Sequence, residues 1–441
     1  MLHGRSKTLG RKTLSRNFTI GATRQRFRIN FKHYIDQGTP NMTQLDEQWI
    51  QKLPKICLHD HLDGGLQPQT MIDIAQEIGH ELPSTEREKL QEWFFEAANS
   101  GSLERYLETF THTLALMQRA EDLRRIAQEH VLACAADGVI YAEVRWAPEQ
   151  HQRAGLSLEE AIRAVATGLN DGMEMVAQAG GRVLVNQILC AMRDHHHSRQ
   201  IAELAVKYRS WGVVGFDLAG AEENHPVEQH REALEYLAEN FMPVTIHAGE
   251  AEGLRSIRSA LLVGRALRIG HGVRITEDFS YTTAGELDPD GKIMPQTPKD
   301  QKILQLGALA SWVKDRRITL EICPCSNIQT GAAYAVEHGV VDCSRVAKNL
   351  AEHPVNALRE AGFAVTISPD NRLMSGSSVT AEFVHLAKNF GYQVQDFFEL
   401  TTNAIEGAFI SMEEKQHLMR AVQGAYMSVF EQQNSVEEEE N

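Results

Sequence analysis

Eight short apolar segments recur along this chain, at residues 55–60, 139–145, 183–190, 213–218, 243–248, 266–270, 318–323 and 363–368. Between them, apolar residues fall three and four apart, as in Leu103, Tyr106, Leu107, Phe110, Leu114 and Met117, the spacing of one helix face. Strand–helix alternation of this kind produces right-handed crossovers and a parallel sheet. Eight repeats within residues 45–430 predict closure into a (β/α)8 TIM barrel, an α/β fold. A doubly wound open sheet is the alternative, but it commonly has fewer strands and a glycine-rich phosphate loop. No G-x-G-x-x-G follows a strand candidate, and there is no Walker-type loop. Residues 61–138 are too many for one crossover helix, so extra helices are expected between strands one and two. Residues 276–300, rich in Asp, Gly, Pro and Thr, read as an excursion without regular structure at the C-terminal face. It is expected to be a lid, a subunit contact or a surface insertion.

Charge narrows the classes of partner. The net charge of -15 argues against a nucleic-acid partner. No apolar run reaches the length that spans a bilayer, so no membrane partner is expected. Residues 1–44 form a basic extension in which nine Lys or Arg and no acid occupy positions 1–35. It reads as an unstructured arm or a transit peptide, or as the product of an early start with Met42 as the true one. Residues 431–441, with Glu437–Glu440, read as a disordered acidic tail. Six scattered cysteines without a small-scaffold framework suggest reduced thiols and a cytoplasmic setting. Cys323-Pro324-Cys325 is read as structural, since its spacing is one residue and no matching pair exists. Nothing here fixes an oligomeric state.

The strand ends carry the chemistry. Catalytic groups of such barrels gather where strands finish at the C-terminal face. Strand one ends in His59, His61 and Asp63; strand four in Asp217, Ala219 and Gly220; strand five in His247, Gly249 and Glu250; strand six in Gly270 and His271; strand eight in Asp370 and Asn371. His59 and His61 lie two apart on a strand and so project from one face. Three imidazoles and a carboxylate from different strands could converge on one axial metal, a ligand set that suits Zn2+ and leaves room for a water. Any single one of the 19 histidines is more often surface or core than ligand, and His195-His196-His197 is read as mostly exposed. The joint pattern at successive strand ends is what points to a hydrolytic metal site.

These motifs resemble those of the adenosine deaminases of the metal-dependent amidohydrolase type, over roughly residues 50–430. Leu58-His59-Asp60-His61-Leu62-Asp63-Gly64 is similar to the family's H-x-H-L-D-G, and Asp217 to Gly220 with Glu222 to its D-L-A-G-x-E. His247-Ala248-Gly249-Glu250 matches H-A-G-E, and Ile269 to Gly272 matches I-G-H-G. Cys323-Pro324 with Ser326, Thr330 and Gly331 is similar to C-P-x-S-x-x-x-T-G. The resemblance implies one Zn2+ per chain held by His59, His61, His247 and Asp370. It implies Glu250 as proton donor to purine N1 and His271 as the group orienting the attacking water. Asp63 is implied to accept from a ribose hydroxyl, and the Gly220 N–H to face purine N3. Asn371 stands where the family usually has a second Asp facing N7; an amide donates there without needing an extra proton.

The implied activity is hydrolytic deamination of adenosine and 2′-deoxyadenosine, a small-molecule purine nucleoside reaction of salvage. The alternative is a related 6-aminopurine: adenine, aminofutalosine or an N6-modified adenine nucleotide. Asp63 favours the nucleoside, because free-adenine enzymes usually carry Glu there. A nucleotide would need cations for its phosphate, for which Arg145 and Arg193 near strand ends are candidates. A non-catalytic purine binder would have lost a ligand or the Glu, and all are present. The unrelated zinc deaminases that use H-x-E together with P-C-x-x-C are excluded, since neither element is present in usable form.

Overall fold

The computed structural model describes residues 47–283 and 302–440. The basic segment 1–44 and residues 284–300 of the expected excursion lie outside the described residues. Eight strands run parallel: β1 (Lys55–His61), β2 (Val139–Trp146), β3 (Leu184–Met192), β4 (Val213–Ala219), β5 (Thr245–Ala248), β6 (Arg268–His271), β9 (Thr319–Ile322) and β12 (Val365–Ile367). They pair as β1-β2-β3-β4 and as β12-β9-β6-β5. A parallel bridge Phe216–Val244 joins β4 to the β5 side, and a second, Asp60–Asp370, joins β1 to the end of β12. The two half-sheets therefore close into a ring in chain order, the (β/α)8 barrel expected from the alternation.

Local chemistry explains the elements outside the ring. Five helices fill the β1–β2 interval: Pro68–Ile78, Arg87–Ala98, Leu103–Glu108, Phe110–Leu116 and Ala120–Ala136. The apolar stripe from Leu103 to Met117 is one periodicity but two helices. The Thr109 hydroxyl between them donates to the Tyr106 carbonyl at 2.7 Å, a back-bond that bends helices. Helix Leu158–Gln178 starts with a capping box between Ser157 and Glu160. Its Gly168 and Gly172 let it lie directly on helix Ala120–Ala136; a Cβ at Gly168 would stand 2.1 Å from the Arg124 carbonyl oxygen. Part of the expected excursion is regular. Residues 279–283 form β7 (Phe279–Thr283), antiparallel to β8 (Lys302–Leu306). A second hairpin joins β10 (Tyr334–Glu337) and β11 (Val340–Val346). The last helix, Met412–Glu440, runs through the acidic segment that was expected to be disordered. No Gly or Pro follows Gly424, and Glu and Gln are good helix formers. No helix among the described residues is long and apolar enough to cross a membrane.

The barrel interior departs from the usual layers of branched apolar residues. Glu143, Arg145, Asp217, Arg268 and Glu321 are all fully buried. Arg268 reaches Glu143 at 2.6 Å and Glu321 at 2.5 Å, and stacks 3.7 Å from the Phe409 ring centroid. Each charge is matched, the condition under which buried ions are tolerated.

Candidate active site

At the C-terminal mouth of the barrel the strand ends bring the predicted histidines together. His59 and His61 leave β1, His247 leaves β5 and His271 ends β6. His59 Nε2 lies 3.2 Å from Asp370 Oδ1, and His61 Nε2 lies 3.5 Å from the same oxygen and 3.2 Å from His247 Nε2. Among the described residues, His59, His247, His271 and Asp370 form one four-group cluster whose ligand atoms lie within 4.8 Å of one another. His61 approaches that point from the open side, with its side chain 12% exposed. His271 and Asp370 both sit at left-handed φ, 58° and 64°, which non-glycine residues rarely adopt. Strain of this kind collects where a side chain must be aimed.

The donor set fits a divalent cation. His59 Nε2 is buried with no hydrogen-bond partner, an orphan that a metal would satisfy. The other ring nitrogens are already oriented. His59 Nδ1 lies 2.8 Å from Glu321 Oε2, and His247 Nδ1 lies 3.0 Å from Asp217 Oδ2. Carboxylates on Nδ1 fix the tautomer that presents Nε2 as a ligand. Arg145 ties the two carboxylates together, donating to Asp217 at 2.8 Å and to Glu321 at 2.7 Å. Burial alone would raise both acids, but Arg145 with the facing histidines holds both below the ordinary carboxylate range. Asp370 accepts from the Ser326 hydroxyl at 2.6 Å, and Asn327 Nδ2 lies 3.0 Å from His271 Nδ1. Thus Asp217, given no role by the sequence, and Arg145, read there only as a candidate phosphate cation, form an outer ring with Glu321. Charged residues set inside otherwise apolar strand segments, as in Glu143-Val144-Arg145 and Glu321, were the signal for it.

Glu250 faces this cluster, its Oε2 3.5 Å from His271 Nε2. Burial and the nearby Asp370 charge push its carboxyl up to about 8. A cavity of about 40 Å³ opens beside it, bounded by His61, Tyr106, Phe110, Gly220 and Asn371 among others. Leu103 and Leu107 line it too, so four residues of the apolar stripe serve the pocket rather than the core alone. Gly220 has φ 93°, and a Cβ there would meet Met192 at 2.8 Å. Asn371 Oδ1 is buried without a partner and packs over Gly64. Asp63 does not line this space. It lies 3.8 Å from His61 Nδ1, with Oδ1 buried and unpaired, and burial raises its carboxyl to about 7. His195 and His197 are exposed at the rim, each within about 3 Å of Glu149 Oε2. Arg145 and Arg193 are buried, and Arg193 donates to the carbonyls of His225 and His247. Neither offers a free charge to a phosphate.

Comparison with known proteins agrees with this geometry. The family model described as adenosine deaminase matches residues 54–425. The chain is 46% identical over 374 residues to adenosine deaminase 1 of Streptomyces coelicolor, covering 85% of this chain and 87% of that one. It is 46% identical to an adenosine deaminase of Mycobacterium leprae, covering 85% and 95%. Among solved structures, an adenine deaminase from Arthrobacter aurescens superposes with TM-score 0.66 at 24% identity, covering 84% of this chain and 98% of that one. An amidohydrolase from Burkholderia ambifaria with bound Zn gives TM-score 0.69 at 20% identity, covering 90% and 97%. On a match that spans nearly the whole barrel, the chain belongs to the adenosine deaminase family.

Proposed function

We propose that the protein hydrolyses adenosine and 2′-deoxyadenosine to inosine and 2′-deoxyinosine with release of ammonia, using one Zn2+ per chain, as a cytoplasmic enzyme of purine salvage. The observation that carries this reading is a protonatable buried carboxyl, Glu250, set against a converging histidine–carboxylate cluster. His59, His61, His247 and Asp370 are the proposed ligands, with His271 close enough to share their site. A bound divalent cation supplies the acidity that brings a water's pKa toward about 7.

The protein's own groups account for the rest. Glu250, protonated near neutral pH, donates to purine N1 and so makes C6 electrophilic. Asp370 accepts a hydrogen bond from the attacking water, and His271, held by Asn327, orients it. Water adds at C6, the amino group leaves as ammonia, and C6 keeps the oxygen. The glycine at 220 lets the base approach the backbone, and Asn371 offers an amide to N7. Asp63 is the proposed ribose acceptor. It lies outside the small cavity seen here but beside His61, which lines it, so the reading requires that cavity to widen when a nucleoside enters. The nucleotide alternative loses its candidate cations, since Arg145 and Arg193 are buried and engaged.

Incubation of the purified protein with adenosine, 2′-deoxyadenosine, adenine and AMP, scored by ammonia release, tests the substrate. Turnover of the two nucleosides above the others is expected. Rapid adenine turnover with inert adenosine would move the assignment to the free base.

A further inference from the structure

Glu250 stands on a loop with no regular structure of its own, residues 249–253 between β5 and helix Leu254–Leu262. Its residues are buried (Gly249, Glu250) or half-buried (251–253), so its backbone groups need partners. One side chain supplies most of them. Glu222, itself 2% exposed, lies on the loop after β4. Its Oε1 accepts from the Gly249 N–H at 2.7 Å. Its Oε2 accepts from the N–H groups of Glu250 at 3.0 Å, Ala251 at 2.6 Å and Glu252 at 2.8 Å. Four consecutive amides thus wrap a single carboxylate, the anion-nest arrangement in which backbone N–H groups point inward. Gly249, at φ 75°, supplies the left-handed turn, and a Cβ there would meet Ile257 at 2.5 Å.

The outward carbonyls are held as well. The Arg274 N–H donates to the Gly249 carbonyl at 3.0 Å, and its guanidinium donates to the Ala251 carbonyl. Arg193 donates to the His247 carbonyl, just before the loop. Glu277 accepts from the Leu254 N–H at 3.3 Å, just after it. With the backbone pinned on both sides, the Glu250 side chain has one direction of exit, toward His271 and the cavity.

We propose that Glu222 is a positioning residue for the deamination step: its carboxylate organises residues 249–252 so that the Glu250 carboxyl is presented at N1. This rests on the reading of Glu250 as proton donor. The carboxylate is required rather than an amide of the same shape. In Glu222→Gln, either orientation turns an NH2 group toward at least one loop N–H, donor against donor. Misplacing a reacting group by about 1 Å costs up to about 100-fold in rate.

The test uses the full-length, metal-loaded protein carrying Glu222→Gln or Glu222→Asp, with Glu250→Gln in parallel. Glu222→Gln is expected to lower kcat for adenosine about 10- to 100-fold with KM changed less than about threefold. Hydrogen exchange is expected to accelerate at the Gly249–Glu252 amides, with bound metal unchanged. Glu222→Asp, which keeps the charge but draws it back by one methylene, is expected to recover part of kcat and part of the amide protection. A general loss of folding would instead lower the active fraction and leave kcat per active site intact. That result, or unchanged exchange at 249–252, or kcat within twofold of wild type, overturns the inference. If Glu222→Gln does not fold, Glu222→Asp decides by the same two readouts. An inactive Glu250→Gln beside a fully active Glu222→Gln sinks only the positioning role. An active Glu250→Gln sinks the proton-donor reading itself.

Discussion

At the scale of single residues, the chemistry turns on a carboxyl kept neutral. Burial and the charge of Asp370 lift Glu250 to about 8, so its acid form predominates at pH 7. In the proposed reaction the acid form is the donor, so activity is expected to fall as pH climbs through that value. A cation bound at the adjoining histidines lowers it. The basic limb of kcat/KM is therefore expected at or below about pH 8, and a rate still flat at pH 9 would contradict the assignment. Glu250→Gln is expected to lose about 10²- to 10⁴-fold in kcat while still binding metal, measured by steady-state kinetics and elemental analysis. Asn371→Ala is expected to raise KM or lower kcat for adenosine, because the proposed amide contact to N7 is gone; two unchanged constants would dismiss that contact. The histidines, Glu250 and Asp370 were legible in the sequence because they sit at strand ends within dense motifs. Glu222 stood in plain sight as part of one motif, but its work depends on a loop 27 positions later, which spacing alone does not reveal.

Among the elements, the barrel strands were legible to within two residues at every end, since apolar runs flanked by polar turns leave little freedom. The helices between β1 and β2 were less so, because the break at Thr109 comes from a side-chain hydrogen bond and leaves the apolar spacing intact. The ionic filling of the barrel was not foreseen at all. One charge in a strand reads as a surface position until the opposite strand is known to answer it. Arg145 on β2 is the clearest case, since it links Asp217 on β4 to Glu321 on β9 and through them orients His247 and His59. Arg145→Gln would leave two buried carboxylates short of their cation. A loss of about 3–5 kcal/mol in unfolding free energy is expected by chemical denaturation. Zinc affinity is also expected to fall about 10- to 100-fold by chelator competition, because the imidazoles lose their fixed orientation. A variant equally stable and equally tight for zinc would show that the carboxylates find other partners.

At the largest scale, the barrel is a ring with two thin seams. Strand count and order followed from the alternation, but closure depends on edges that no sequence pattern records. Between β1 and β12 the pairing is a single bridge, with the His61 N–H donating to the Asp370 carbonyl at 2.7 Å and the Asp370 N–H to the His59 carbonyl at 3.1 Å. Just before that bridge, the Ser368 hydroxyl accepts from the Leu58 and His59 amides. The proposed ligands come from both sides of this seam, His59 and His61 from β1 and Asp370 from the end of β12, with His247 from β5 across the mouth. A cation held by them would fasten the barrel at one of its two thin joins as well as serve the reaction. Because it binds only the folded ring, its removal costs stability by mass action, about 4 kcal/mol where free metal stands a thousandfold above its dissociation constant. Dialysis against a strong chelator is therefore expected to abolish activity and lower the melting temperature. It should also speed hydrogen exchange at His61 and Asp370 more than at the β2–β3 pairs, where the ladder is continuous. Added Zn2+ should restore all three. Uniform exchange around the barrel after chelation would mean that the seam is held by its backbone and Ser368 alone, and that the metal's part is confined to chemistry.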